Sequence, residues 1–450
     1  MTSSSSPRPA TAVLLAAGRG TRMQSSRPKA MQRLAGRPML AHLIDSAARV
    51  FDKLVVVVGP DMPEVEQLAA PHAVIVQNER LGTAHAALQA EALFGDGDVA
   101  VLYADNPLIS SDTLSRLLTE SRKDDTGLAL LAMRPAQPGR YGRVITSAQS
   151  HNVQKIVEWA DATPEERAVN LCNAGVLCAK AQDFRRWLKD VKNTNAKQEY
   201  YLTDVVGLAV REGVSVKSVE AAESELRGIN SRAELAEAEA ALQQRLRLHA
   251  MEKGVTLVAP ETVFLCTDTV LEADVLIEPN VVFGPGVTVR SDAEIRAFSH
   301  LEGCEVQSAA IVGPYARLRP GAQIGEEAHI GNFVEIKNSV IGKGSKANHL
   351  TYLGDTSVGT RTNIGAGTIT CNYDGASKHK TTIGDDVFVG SNAILVAPLT
   401  VGSDSLIAAG STITNDIPPD ALALARAKQV NKPGLGKKLK TALKNKKGNG

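Results

Sequence analysis

The chain has 450 residues, enough for two or three domains with sizeable cores. Its 50 lysines and arginines balance 49 aspartates and glutamates, and the net charge of +1 recommends neither nucleic acid nor membrane as a partner. No apolar run reaches membrane-spanning length, the polar start Met1–Pro7 lacks a signal-peptide core, and the scattered Cys172, Cys178, Cys266, Cys304 and Cys371 have no metal-ligand spacing; a soluble cytoplasmic protein with reduced thiols is expected.

Thr11 to Ala17 is a continuous apolar run, the pattern of a parallel strand buried on both faces. It feeds Gly18-Arg19-Gly20-Thr21-Arg22-Met23 and then Pro28-Lys29. Glycines after a first strand let backbone N–H groups approach phosphates, and Arg22 and Lys29 add charge suited to a triphosphate. The same glycines also suit an ordinary strand-to-helix turn, and their spacing is neither a dinucleotide fingerprint nor a P-loop. Strands are predicted at Leu54–Val58, Ala73–Val76, Val99–Tyr103, Gly127–Met133 and Leu171–Cys178. Helices are predicted at Pro38–Val50, Met62–Ala69, Thr83–Phe94 and Ser111–Arg122. Their alternation predicts a doubly wound α/β sheet with ligands at the carboxyl ends of the strands. Asp105 follows such an end, a place for a carboxylate holding Mg²⁺ on a nucleotide and equally for a turn cap before Asn106-Pro107.

Ser231-Arg232-Ala233-Glu234 has the form of a capping box, and Leu235–Ala250 is rich in helix formers. A helix over about 231–250, roughly 30 Å long, reads as a spacer with a solvated charged face.

Beyond it an aliphatic residue returns every six positions: Ile277, Phe283, Val289, Ile295 and Leu301; Val312, Leu318, Ile324, Ile330 and Ile336; after a one-residue slip Ile341, Ala347 and Leu353; then Ile383 through Val389, Leu395, Val401 and Ile407 to Ile413. A period of six is neither helical nor that of a single strand, and fits short strands and turns coiling into a parallel β-helix. Cys371–Thr382 breaks the rhythm and must loop out. His349, two positions after the inward Ala347, points off the coil. The tail beyond Asp420 has no acidic residue and many lysines, which suits a disordered solubilising segment or a flap over phosphates.

Taken together, these residues resemble a known family. Leu15-Ala16-Ala17-Gly18-Arg19-Gly20-Thr21-Arg22-Met23 with Pro28-Lys29 resembles the opening signature of sugar-1-phosphate nucleotidyltransferases. Leu81-Gly82-Thr83, Tyr103-Ala104-Asp105, Tyr141-Gly142-Arg143, Asn173-Ala174-Gly175, Glu199–Asp204 and Gly228-Ile229-Asn230 follow in that family's order. With hexapeptide coils behind them and Lys346–Asp355 resembling an acetyltransferase signature, residues 11 to about 430 are similar to the bifunctional N-acetylglucosamine-1-phosphate uridyltransferase/glucosamine-1-phosphate N-acetyltransferases. The resemblance implies a Rossmann-like nucleotidyltransferase domain (1–230), a linker helix (231–254) and a left-handed β-helix acetyltransferase domain with a basic tail (255–450).

It also implies roles. Leu15, Ala16, Ala17, Gly18, Gln77, Gly82 and Thr83 would hold uracil and ribose, with Tyr103 and Ala104 beside them. Lys29 and Arg22 would neutralise the triphosphate of UTP, Asp105 and Asn230 would bind Mg²⁺, and Gly142, Glu158 and Asn173 would face the sugar of N-acetylglucosamine 1-phosphate. In the coil, His349 is the implied base, and Arg319, Lys337, Tyr352, Asn363 and Lys378 would hold glucosamine 1-phosphate. Ala366, Asn372, Tyr373, Ser391, Ala409 and Arg426 would contact acetyl-CoA. A homotrimer and a role in cell-wall precursor synthesis are implied as well. Ala84, Ala104, Ala174 and Ser231 depart from the family pattern, which leaves a different sugar or base open. A non-catalytic scaffold would be expected to lose Lys29, Asp105 or His349, and all three are present.

Overall fold

The structure, a computed structural model, describes residues 8–447, with the side chains of Lys446 and Lys447 excepted; the polar start read from Met1–Pro7 lies outside the described residues. The chain divides between Leu246 and Arg247 into two compact units.

The first unit is built on a nine-stranded sheet. In chain order its strands are β1 (Ala10–Leu15), β2 (Lys53–Val58), β3 (Ala73–Val76), β4 (Asp98–Tyr103), β5 (Leu128–Met133), β6 (Arg143–Thr146), β7 (Val153–Val157), β8 (Cys172–Lys180) and β9 (Val216–Glu220). The spatial order is β9-β5-β8-β4-β1-β2-β3, with β6 pairing β8 and β7. Alternation along the strands explains their burial on both faces. Ala12, Leu14, Val56, Val58, Ala100 and Leu102 point to one core cluster, with α1 (Met39–Ala48), α2 (Pro63–Ala69) and α4 (Ser111–Ser121). Val13, Val55, Val57, Val99 and Val101 point to the other, with α3 (Thr83–Gln89), α5 (Ala181–Asp190) and α6 (Asp204–Arg211). From β1 the chain turns first toward β2 and β3, then returns to β4 on β1's other side. Leu15 pairs with Tyr103 at that reversal of direction, where open α/β sheets place ligands.

The predicted sheet differs from the observed one at β8. It runs antiparallel to both β4 and β5, because the chain arrives through the β6–β7 hairpin and not through a crossover helix. Its register shifts between Asn173 and Leu177, where Gly175 has φ +80°; a Cβ there would stand 2.3 Å from Tyr103 Cε2, so the bulge and the aromatic ring need glycine.

The helix predicted at 231–250 is α7, Arg232–Glu252. It is not a free spacer along this length. Leu235, Ala238, Leu242 and Leu246 pack with Met23, Leu34, Met39, Leu108 and Ile229. Its charged residues are also engaged: Glu239 accepts from Ala35 N–H at 2.8 Å, and Arg232 donates to Gln32 Oε1 at 2.7 Å.

In the second unit three parallel sheets of 10, 8 and 8 short strands wind a left-handed coil, one strand from each sheet per turn. Leu276 pairs with Glu294, Glu294 with Ile311 and Ile311 with His329 up one sheet. Every residue of the six-residue repeat named above faces inward, from Ile277 at 0 % exposure to Ile413 at 5 %. Four positions on, the small or branched Ala316, Ala322, Ala328, Val334, Ala393 and Ser411 are buried as well. Ile330 lies in one such stack, between Val312 and Ala347. Ile330→Ala is expected to lower stability by about 2–5 kcal/mol, read as a lower urea midpoint at unchanged slope, whereas the outward Gln323→Ala is expected to leave it within about 0.5 kcal/mol.

The break at Cys371–Thr382 is an extruded loop between strands Ile369–Cys371 and Thr381–Ile383, closed by a Tyr373–Lys378 bridge. Asp374 folds its tip, its Oδ1 accepting from Ala376 and Ser377 N–H and its Oδ2 meeting His379 Nε2 at 2.6 Å. The disorder read for the basic tail is corrected over its described part, where Leu435–Lys447 forms a helix, α8.

Candidate active sites

Past the end of β1 the chain turns through Gly18–Met23. Gly20 has φ +68°, and a Cβ on it would stand 2.6 Å from Lys29 Cβ, so glycine lets the loop close onto Lys29. The result is a cleft of about 310 Å³ whose wall includes Leu15, Ala16, Ala17, Gly18, Lys29, Gln77, Gly82, Thr83, Tyr103, Ala104 and Asp105. All eleven are residues to which the family resemblance gives a place in the nucleotide site. Arg80 and Glu199 join them without having been assigned a role, and Arg80 Nε donates to Ala17 O at 2.8 Å, bracing the loop. The Gln77 side chain is buried and its amide nitrogen is fixed by Gly82 O and His85 Nδ1, which leaves Oε1 as an oriented acceptor. Tyr103 is held neutral by burial, which pushes its hydroxyl pKa up.

At the charged end Lys29 Nζ donates to Asp105 Oδ2 at 2.5 Å and to Asn230 Oδ1 at 2.7 Å, while Arg22 Nη2 donates to the same Asn230 oxygen at 2.7 Å. Asn230 is placed by the capping box of α7. Glu234 accepts from both Asn230 and Ser231 N–H, and Ser231 Oγ accepts from Glu234 N–H. Ser231, a departure from the expected pattern, thus caps the helix. The fit to a divalent cation is good: Asp105 and Asn230 aim two hard oxygen donors at one positive charge, and Mg²⁺ takes few protein ligands plus substrate phosphates. Among the described residues no group of three or more His, Cys, Asp or Glu side chains forms a self-sufficient metal cage.

Gly142, Glu158 and Asn173 sit together. Asn173 N–H donates to Gly142 O at 2.9 Å, and a Cβ on Gly142 would be 3.4 Å from Glu158 Oε1. Burial raises the Glu158 pKa, against a hydrogen bond from Thr203 Oγ1 at 3.2 Å. Arg143, the next residue, is 2 % exposed, and its guanidinium donates to the carbonyls of Pro138, Gly139, Tyr141 and Arg167 and packs 5.0 Å from the centre of the Trp159 ring. It ties the segment carrying Gly142 from four sides. Lysine keeps the charge but not the planar fork. If Gly142 faces the sugar phosphate as the resemblance implies, Arg143→Lys is expected to raise KM for it on the order of tenfold, since hydrogen bonds to a charged group are worth about 1.5–3 kcal/mol each, with acetyl transfer by the same sample unchanged.

In the second unit His349 is exposed at a coil corner, and its Nδ1 lies 3.0 Å from Asn332 Oδ1 on the preceding turn. An amide oxygen only accepts, so this contact fits the tautomer with its proton on Nδ1 and leaves Nε2 unengaged by Asn332. The same corner continues up the coil. Gly367 N–H meets His349 O, Asn392 N–H meets Ala366 O, Gly410 N–H meets Ser391 O, and Arg426 Nη1 reaches Ala409 O at 2.8 Å. His349, Ala366, Ser391, Ala409 and Arg426 therefore form one column. Asn332 is not a candidate that sequence reasoning found; the coil period, which sets it one turn below His349, was the available signal.

Arg319, Lys337, Tyr352 and Lys378 gather across the strand Tyr352–Gly354, toward the next corner. Lys378, and then Arg319, depress the Lys337 pKa. Arg319 is shared with Glu335 at 2.8 Å. Asn372 Nδ2 donates to Asp355 Oδ2 at 2.5 Å near the Tyr352 hydroxyl, and Tyr373 is 60 % exposed on the extruded loop. Asn363 stands apart from these cations, on the adjoining sheet in register with Lys346.

A mixed α/β sheet with a cation-bearing cleft at its switch point, followed by a hexapeptide coil with an outward histidine, defines a two-domain transferase. Residues 12–173 match the family model of the MobA-like NTP transferase domain, and residues 380–415 match the bacterial transferase hexapeptide repeat. A relative from Gluconacetobacter diazotrophicus named bifunctional protein GlmU is 66 % identical over 447 residues, covering 98 % of this chain and 96 % of the relative. Relatives of the same name from Gluconobacter oxydans and Granulibacter bethesdensis are 62 % and 60 % identical, covering 98 % of the chain and 98 % and 99 % of their own lengths. The chain belongs to the bifunctional GlmU family.

Proposed function

We propose that the second unit transfers acetyl from acetyl-CoA to glucosamine 1-phosphate and that the first unit transfers uridylyl from UTP to the N-acetylglucosamine 1-phosphate so formed. The observation that carries this reading is the pairing of two differently equipped sites in one chain: an Asp105–Lys29–Asn230 cluster at the mouth of a nucleotide-sized cleft, and a histidine with a free Nε2 on a coil that also bears a cation cluster.

In the first site the sugar phosphate is itself the nucleophile, so no general base is needed. Alignment and charge neutralisation for in-line attack on the α-phosphorus suffice, with pyrophosphate leaving. Leu15, Ala16, Ala17, Gly18, Gln77, Gly82 and Thr83 hold the uridine, Lys29 and Arg22 the phosphates, and Gly142, Glu158 and Asn173 the sugar. Asp105 and Asn230 would hold Mg²⁺, which would supply charge neutralisation. In the second site His349 Nε2 takes the proton from the 2-amino group as nitrogen attacks the thioester carbonyl and coenzyme A leaves as the thiol. Arg319, Lys337, Tyr352, Asn363 and Lys378 bind the sugar phosphate. Ala366, Asn372, Tyr373, Ser391, Ala409 and Arg426 bind acetyl-CoA, with the Ala366 N–H toward the developing oxyanion.

A homotrimer completes the second site in this reading. Two features support it: Asn363 lies on a different face from the cations it would work with, and an exposed ladder of Phe298, Tyr315 and Phe333, stacked at 4.9 and 5.2 Å, runs up the His349 corner and needs covering. Among the described residues no helix is long and apolar enough to cross a membrane; in this reading the enzyme works in the cytoplasm and supplies cell-wall precursors.

The test is mass spectrometry of purified protein in two separate reactions, glucosamine 1-phosphate with acetyl-CoA, and UTP with N-acetylglucosamine 1-phosphate and Mg²⁺. Both products are expected. A preference for thymidine triphosphate and glucose 1-phosphate in the second reaction would overturn the substrate assignment, and no turnover in either would overturn the reading.

A further inference from the structure

The net charge of +1 conceals a strong local asymmetry. Beyond Asp420 the chain carries no aspartate or glutamate, while Arg426, Lys428, Lys432, Lys437, Lys438, Lys440, Lys444, Lys446 and Lys447 are all basic. Among the described residues, the hydrogen bonds beyond Arg426 stay within the tail itself: Gln429 to Asn431, Leu435 to Lys432, Lys438 to Gly434 and Thr441 to Lys437. Residues 424–445 are exposed throughout.

The helix α8 is nonetheless two-sided. Leu435, Leu439, Ala442 and Leu443 fall at positions i, i+4, i+7 and i+8, a stripe about 100° wide. Lys437, Lys438, Lys440 and Lys444 occupy the flanks and the opposite side, while Lys446, at i+11, falls on the stripe's side at the helix's last turn. The three leucines are 40 %, 55 % and 66 % exposed. A helix of 13 residues gains little from propensity alone, and packing of its apolar face is what stabilises such elements.

We propose that α8 lies in the surface of a bilayer rich in anionic lipid and brings the chain to it. Charge complementarity selects the partner. Lysines on both flanks of a narrow leucine stripe match negative headgroups lying on either side of an apolar phase, the arrangement of an interfacial helix. Nucleic acid would engage the lysines but leave the leucines in water, and the tail has no aromatic residue to stack on bases. The helix is too short and too charged to span the membrane, so contact is peripheral and falls with salt.

Sedimentation of the full-length protein with vesicles tests this, comparing phosphatidylglycerol/phosphatidylcholine mixtures with pure phosphatidylcholine at low and high salt. Anionic vesicles are expected to bind at least about tenfold more protein at low salt, and high salt is expected to release it. Leu439→Asp with Leu443→Asp is expected to abolish binding while acetyl transfer continues at the wild-type rate. Absence of wild-type binding to anionic vesicles overturns the proposal. So does undiminished binding by the leucine variant, which would mark simple charge adsorption, and so does capture by duplex DNA in place of vesicles. If the leucine variant loses acetyl transfer and acetyl-CoA affinity while vesicle binding persists, the helix is a flap of the active site and the proposal falls.

Discussion

Replacement of His349 by alanine is expected to lower acetyl transfer about 10²–10⁴-fold, the range for removing a general base, and to leave uridylyl transfer unchanged. Asn332 engages Nδ1 of the His349 ring, which leaves Nε2 for the amine in the proposed reaction. The amine nitrogen must lose a proton as it bonds to the acetyl carbon, and alanine offers no acceptor. Asn332→Ala separates positioning from proton transfer: the imidazole remains but loses the contact that fixes its tautomer and tilt. A smaller fall, on the order of tenfold, is expected, in kcat more than in KM for either substrate. Thiol release from acetyl-CoA measures both variants. Full activity in His349→Ala would place the base elsewhere.

Lys29→Ala is expected to reduce uridylyl transfer by about 10²–10³-fold, comparable to removing one preorganised stabilising donor. Two losses combine. The cleft forfeits a cation for the triphosphate, and Asp105, now paired with Lys29 at 2.5 Å, is left as an uncompensated carboxylate facing an anionic substrate. Repulsion from that carboxylate is expected to make the variant more dependent on Mg²⁺, so raising its concentration should recover part of the activity. Asp105→Ala should instead lose activity that added Mg²⁺ does not recover. Pyrophosphate release reads both, with thiol release as the internal control for folding. Equal Mg²⁺ response in the two variants would break the assignment of Lys29 and Asp105 to different roles.

Much of this protein is legible in local pattern alone. The six-residue step is a property of consecutive residues, each side of the coil burying one aliphatic side chain and each turn three. The inward positions from Ile277 to Ile413 therefore follow from counting, and so does the extruded loop at Cys371–Thr382 where the count fails. The strand Ala10–Leu15 and its glycine loop are legible for the same reason: an apolar run buried on both faces, then residues able to turn and to approach phosphate. The cleft residues of the first unit lie past the carboxyl ends of strands that the alternating pattern predicts, and the family's motifs mark the same positions.

What neighbours across long separations decide is not legible in this way. No local signal makes β8 antiparallel; that depends on where the β6–β7 hairpin returns the chain, and on Gly175 leaving room for the Tyr103 ring. Nothing in the sequence marks Arg143 as a buried cation; Arg167 O, 24 residues on, closes in its guanidinium beside the nearby carbonyls of Pro138, Gly139 and Tyr141. The charged face of α7 reads as solvated, yet Glu239 reaches Ala35 and Leu242 packs near Met23, contacts that join the two ends of the first unit's chain. Asn332 acquires a role only when the coil stacks it under His349. Periodicity and turn chemistry are fixed by residues a few positions apart and belong to the sequence by itself; the partner of a long-range hydrogen bond is chosen by the packing of the whole unit, and only the tertiary structure decides it.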